Sequence, residues 1–169
     1  ISFSYAHGQT DDFTLYAKWT ANILDVTYQS NGGSVVTAIT TTTGASISAA
    51  PTEPTRAGYT FAGWFANSNL TGSAISFSYA HGQTDDFTLY AKWNANLNTI
   101  VYDAQGGSSV SNGSMLTAGS IATAPVSTRA GYTLSGWSRT TTGSVVSFTG
   151  GYAPNDTAGF TLYAIWNPN

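Results

Sequence analysis

The sequence contains no cysteine, which excludes disulfides and thiolate metal sites without fixing the compartment. Charge is almost as scarce, at 8% of residues against about 25% in ordinary soluble domains. The cations are five in all: Lys18, Arg56, Lys92, Arg129 and Arg139, in a chain of net charge -3. A phosphate-binding surface gathers Lys and Arg into a patch, so no nucleic-acid partner is expected, and anionic membrane surfaces are poor candidates too. No apolar run reaches the length of a membrane-spanning helix, so no membrane insertion is expected. No secretory leader is visible at Ile1. The chain opens in mid-pattern and reads as a piece of a longer protein, so that absence says nothing about export.

What is present is an uncharged, aromatic-rich composition. Aromatic residues make up 14% of the chain and hydrophobic residues 41%, which excludes a disordered segment, since disorder wants few aromatics and high net charge. The remainder is largely Thr, Ser, Asn, Gly and Ala. This predicts a mainly β fold with polar uncharged outer faces.

Self-similarity organises the whole chain. Residues 1–19, ISFSYAHGQTDDFTLYAKW, return letter for letter at 75–93, a period of about 74. Tyr28, Gly32 and Gly33 return as Tyr102, Gly106 and Gly107. The run Arg56-Ala57-Gly58-Tyr59-Thr60 returns from Arg129 to Thr133, Gly63-Trp64 as Gly136-Trp137, and 89–93 as 162–166. The organisation expected is the C-terminal part of a repeat at 1–19, then full modules at 24–93 and 97–166. The joints, residues 20–23 and 94–96, are too short for flexible linkers, so the modules should sit close in a semi-rigid string. About 70 residues can fold alone around a small core.

Within one module, residues 24–28 alternate and run into Asn31-Gly32-Gly33, a strand and a tight turn. A second, weaker strand is expected at 35–39. Pro51 and Pro54 disfavour regular structure around them. Residues 59–65 read as an aromatic strand broken at Gly63, and 75–79 as a strand with Ile75, Phe77 and Tyr79 on one face. Residues 81–86 read as a polar loop, and 87–93 as a closing strand. No segment holds a helical period over three turns, although one helical turn fits 67–71. The strand expected at 13–19 lacks head strands to pair with, a liability that makes a strand-swapped dimer through residues 1–19 a possible partner arrangement.

Three marks together form a specific signature: the strand ending in Gly32-Gly33, the run PTRAGYTFAGWF at 54–65, and TLYAKW at 88–93. The chain resembles the Listeria–Bacteroides repeat family over nearly its whole length. In the second module Ser127 replaces the Pro, Leu134 the Phe, Ser138 the aromatic after Trp, and Ile165 the Lys. The resemblance implies β-grasp-like modules in tandem, α+β at most, on secreted or wall-attached bacterial proteins. It implies adhesion, stalk formation and partner binding, and brings no catalytic residues.

The copies act as controls on candidate chemistry. His7 and His81 each stand four residues before an Asp pair, an arrangement that could hold a metal or move a proton. The third copy has no His and keeps only Asp156, so a solvated loop is the expectation. Asp11-Asp12 and Asp85-Asp86 lack the spaced oxygen donors of a calcium site. Lys92 could form an isopeptide link to Asn, but Ile165 replaces it. No catalytic residue, cofactor or metal ligand is therefore assigned. Arg56 and Arg129 are expected to hold a turn or stack on Tyr59 and Tyr132. Trp64, Trp93, Trp137 and Trp166 are expected in the core, since little else in a small module is large enough to fill it. Two functions remain: a stalk or interaction array whose partners are its neighbouring repeats and a host or cell-surface protein, or a glycan-binding module using exposed aromatics.

Overall fold

The computed structural model describes residues 4–6, 8 and 10–169. Ten strands follow in order: β1 (Ile23–Gln29), β2 (Ile39–Thr42), β3 (Ser46–Ile47), β4 (Tyr59–Phe65), β5 (Tyr79–Ala80), β6 (Phe87–Ala95), β7 (Leu97–Asp103), β8 (Gly113–Leu116), β9 (Tyr132–Ser138) and β10 (Phe160–Pro168). Among the described residues there is no helix, so the fold is mainly β.

Two four-stranded sheets repeat one plan. The first has the order β2-β1-β6-β4 and the second β8-β7-β10-β9; β3 and β5 add a two-stranded ribbon to the first module. In each sheet the two central strands are the first and last of the module and run parallel: Val26 faces Phe87, and Ile100 faces Phe160. The outer strands pair antiparallel. Each sheet has its own core. Val26, Tyr28, Ile47, Trp64, Leu89 and Ala91 fill the first, and Ile100, Met115, Trp137, Leu162 and Ala164 the second. The alternation of β1 explains its part, since Leu24, Val26 and Tyr28 point inward while Ile23 is exposed.

β4 breaks where Gly63 stands. The pairing of β4 with β6 slips between Phe61 and Gly63, and Gly63 takes φ +111°, with Ala74 where a side chain would project. This is a bulge that only glycine fits.

Four expectations change. The second strand begins at Ile39, not Val35, because Ser34 N–H donates to Thr55 O at 2.8 Å and carries the chain away from β1 before it folds back. Of residues 75–79 only Tyr79 is strand. The segment takes one bond to β4, Ile75 N–H to Trp64 O, and then leaves it, while Ile75, Phe77 and Tyr79 do pack against the core as one face. Residues 67–71 form a turn rather than helix, with Leu70 at φ +54° and the Asn67 side chain bonded to Thr71. Residues 13–19 are not strand, and Tyr16 and Trp19 are exposed, although the identical residues 87–93 form the centre of a sheet.

Candidate functional site

The residues shared by both modules converge beside the glycine turn. Asn31 and Gly32 have positive φ, as do Gln105 and Gly106, and these turns bring carbonyl oxygens to face the next strands. Trp93 donates its ring N–H to Ser30 O at 2.8 Å, and Trp166 to Ala104 O at 2.9 Å. Arg56 donates to Asn31 O at 3.0 Å with its guanidinium 3.9 Å above the Tyr59 ring. Arg129 repeats this with Gln105 O at 3.2 Å and Tyr132 at 4.0 Å. Each Arg thus ties a turn carbonyl to an aromatic face, as a planar cation is suited to do.

The other two Trp residues lie deeper. Trp64 and Trp137 are buried, and Trp137 donates to Pro125 O at 2.8 Å. In the first module the rings run as a chain, Tyr28 to Trp64 to Phe61 to Trp93, with centroids 4.9, 5.5 and 5.5 Å apart. In the second, Leu134 stands at the Phe61 position, and the chain stops after Tyr102 and Trp137.

Burial also perturbs one tyrosine in each of these two ring series. The hydroxyls of Tyr28 and Tyr102 are held above their ordinary titration range by desolvation.

A shallow groove of about 590 Å³ runs along residues 53–57, Tyr59, Phe61 and Trp93. The nearest counterpart in the second, about 270 Å³, is bounded by Gln105, Arg129, Thr141, Thr142 and the end of β10, so the two modules do not offer the same surface.

The loop His is not solvated as expected. His81 is buried, stacked on Phe87 with centroids 4.9 Å apart. Its Nδ1 accepts from Gln83 N–H at 3.1 Å, leaving Nε2 toward Thr41 Oγ1 at 3.4 Å. His7 lies outside the described residues. Asp86 accepts from Asp25 N–H at 2.7 Å, and among the described residues no three His, Asp or Glu side chains gather. Lys92 reaches Leu70 O at 3.4 Å and lies over Phe65.

Sequence reasoning missed two devices. Phe160, the counterpart of Phe87, is covered by Arg139 at 4.0 Å in place of a His, and Arg139 is fixed by two bonds to Asp156 at 2.8 and 2.9 Å. The other is Asn96, the single residue between β6 and β7. Its signal is visible in hindsight, since Asn22, Asn96 and Asn169 recur at nearly the repeat period.

Comparison with known proteins follows the same two-fold division. The Listeria-Bacteroides repeat domain matches residues 25–92 and again 99–165. Internalin H of Listeria monocytogenes is 34% identical over 121 residues, covering 70% of this chain and 21% of that protein. Two Evansella cellulosilytica proteins named as membrane proteins, one of them Gly-rich, are 43% and 41% identical over 104 and 98 residues. They share 59% and 58% of this chain with 11% and 14% of their own length. The chain therefore spans a small fraction of each of these relatives. No solved structure matches. With two matches, each taking in most of one sheet and its glycine turn, the chain belongs to the Listeria-Bacteroides repeat domain family.

Proposed function

We propose that the chain is a non-catalytic spacer and interaction segment of a bacterial surface or secreted protein, holding other parts of that protein at a set distance. One observation carries the reading. The aromatic and Arg positions common to both modules are committed to the fold itself: Trp64 and Trp137 to the cores, Trp93 and Trp166 to turn carbonyls, Arg56 and Arg129 to turn carbonyl and Tyr face. A ligand site shared by every module would need such groups free to change partners. The similarity to Internalin H and to proteins named as membrane proteins supports the surface setting. The strand order, with parallel first and last strands at the centre, supports a β-grasp-like plan.

A glycan- or glycoprotein-binding role is the second reading, favoured by the groove along Tyr59, Phe61 and Trp93. The two are separated by a glycan and host-protein binding screen on the intact chain. The first reading expects no saturable glycan binding. Tight saturable binding abolished by Phe61→Leu, the residue type of the second module, would establish the groove instead.

A further inference from the structure

Asn96 joins two sheets with no slack, and its polar groups are divided between them. Its N–H donates to Gly58 O at 2.9 Å, and its side-chain oxygen accepts from the Thr60 hydroxyl at 2.7 Å, both in the first module. Its carbonyl accepts from Thr117 N–H at 2.9 Å and lies 3.4 Å from the Thr117 hydroxyl, in the second. Thr117 is buried and accepts from the buried Asn98 side chain at 3.1 Å. The two modules also meet directly. A Cβ on Gly58 would lie 2.7 Å from Thr117 Cγ2 and 2.9 Å from Thr157 Cβ.

The same parts occur in halves elsewhere. Asn169 N–H donates to Gly131 O at 3.0 Å, and its side chain accepts from Thr133 at 2.7 Å. Thr43 N–H donates to Asn22 O at 3.0 Å. Asn169 makes the bonds that Asn96 makes backward, and Asn22 the bond that Asn96 makes forward. The joint is thus assembled from parts that each module carries, not from a contact peculiar to one pair.

We propose that the Gly58 turn and the Thr117 face form a built docking surface whose partner is the next module of the same kind, and that Asn96 locks the two at one fixed orientation. A linker of one residue whose N–H, carbonyl and side-chain oxygen are all engaged leaves little freedom for a hinge. Successive modules joined this way repeat a single rotation and translation and extend as a stiff rod. The inference stands on the joint alone and holds whichever function the array serves.

Gly58 and Gly131 supply a matched control. They sit in the same turn at φ +78° and +77°, so Ala strains both backbones alike, but at Gly131 a Cβ meets nothing within 4 Å. Because the chain has no cysteine, Ser73→Cys and Ser111→Cys place one spin label on each module of the intact chain. Electron–electron distances then read the joint. A single narrow distribution is expected in the parent and in Gly131→Ala, with a displaced or broadened one in Gly58→Ala. Asn96→Ala removes the side-chain half of the lock without backbone strain and is expected to broaden the distribution while both modules keep their strand signature by circular dichroism. A broad distribution in the parent would overturn the proposal. So would Gly58→Ala matching Gly131→Ala, or Asn96→Ala leaving the width unchanged.

Discussion

The Trp93 ring lies against Gly33 so closely that Cζ2 occupies the place of a side chain there, while its N–H is bonded to Ser30 O at 2.8 Å. The ring is held from both sides and cannot withdraw without losing that bond. Gly33 is therefore demanded by contact, not by backbone angle.

Gly33→Ala should accordingly destabilise the first module by about 1–3 kcal/mol, the usual cost of overpacking. Gly44→Ala is the comparison, since Gly44 has positive φ but open space around it, and it should cost about 1 kcal/mol from strain alone. Denaturant unfolding of the two variants measures the difference, and equal losses would show that the ring moves freely.

For Arg56, the planar cation bridging Asn31 O and the Tyr59 face should not be replaceable by a point charge. Arg56→Ala is expected to cost on the order of 1 kcal/mol, and Arg56→Lys to recover less than half of it. Full recovery by Lys would mean that charge alone holds the turn. Arg129→Lys should behave alike in the second module.

Alkaline pH should weaken both modules. The Tyr28 and Tyr102 hydroxyls titrate above their ordinary value of 10.0 because they are buried. The native state then keeps protons that the unfolded chain gives up. Stability holds below about pH 10 and falls as the pH rises past it. The Tyr28 hydroxyl also has no hydrogen-bond partner among the described residues. Tyr28→Phe should thus be neutral or stabilising by up to about 1 kcal/mol at pH 7, and should blunt the alkaline loss in the first module alone. Unfolding midpoints measured across the alkaline range check both statements, and a large loss at pH 7 would reveal a bond to that hydroxyl.

The cover on Phe160 should respond to salt where the cover on Phe87 does not. Arg139 and Asp156 form a partly exposed ion pair, worth at most about 1 kcal/mol and screened by added salt. Arg139→Met should destabilise the second module modestly and remove most of this salt dependence. His81→Ala, which strips the ring from Phe87 and leaves Gln83 N–H without its acceptor, should cost about 1–3 kcal/mol in the first module.

Local pattern made much of this fold legible. The alternation of residues 24–28, the glycine turn and the broken strand around Gly63 all reappear as β1, its turn and bulged β4. The largest miss has a non-local cause. Residues 13–19 and 87–93 are one sequence in two states, exposed chain in the first and a central strand in the second. The strand state comes from β1 and β4 on either side, which no window along the chain can see. His81 misled for the same reason: the loop reads as polar, yet Phe87 and Thr41, the latter 40 residues away, enclose it. At the shared positions, residue types predicted clamp and core, but which carbonyl each donor reaches depended on where the glycine turn lies.

The parallel pairing of β1 with β6 has a mechanical consequence. Tension along the chain enters a module at the start of β1 and leaves at the end of β6. Because these strands are neighbours and parallel, opposite pulls slide one along the other, and their cross-strand bonds must yield together instead of opening one by one. The same holds for β7 and β10. Stretched end to end, the chain should give way in two abrupt steps, one per sheet.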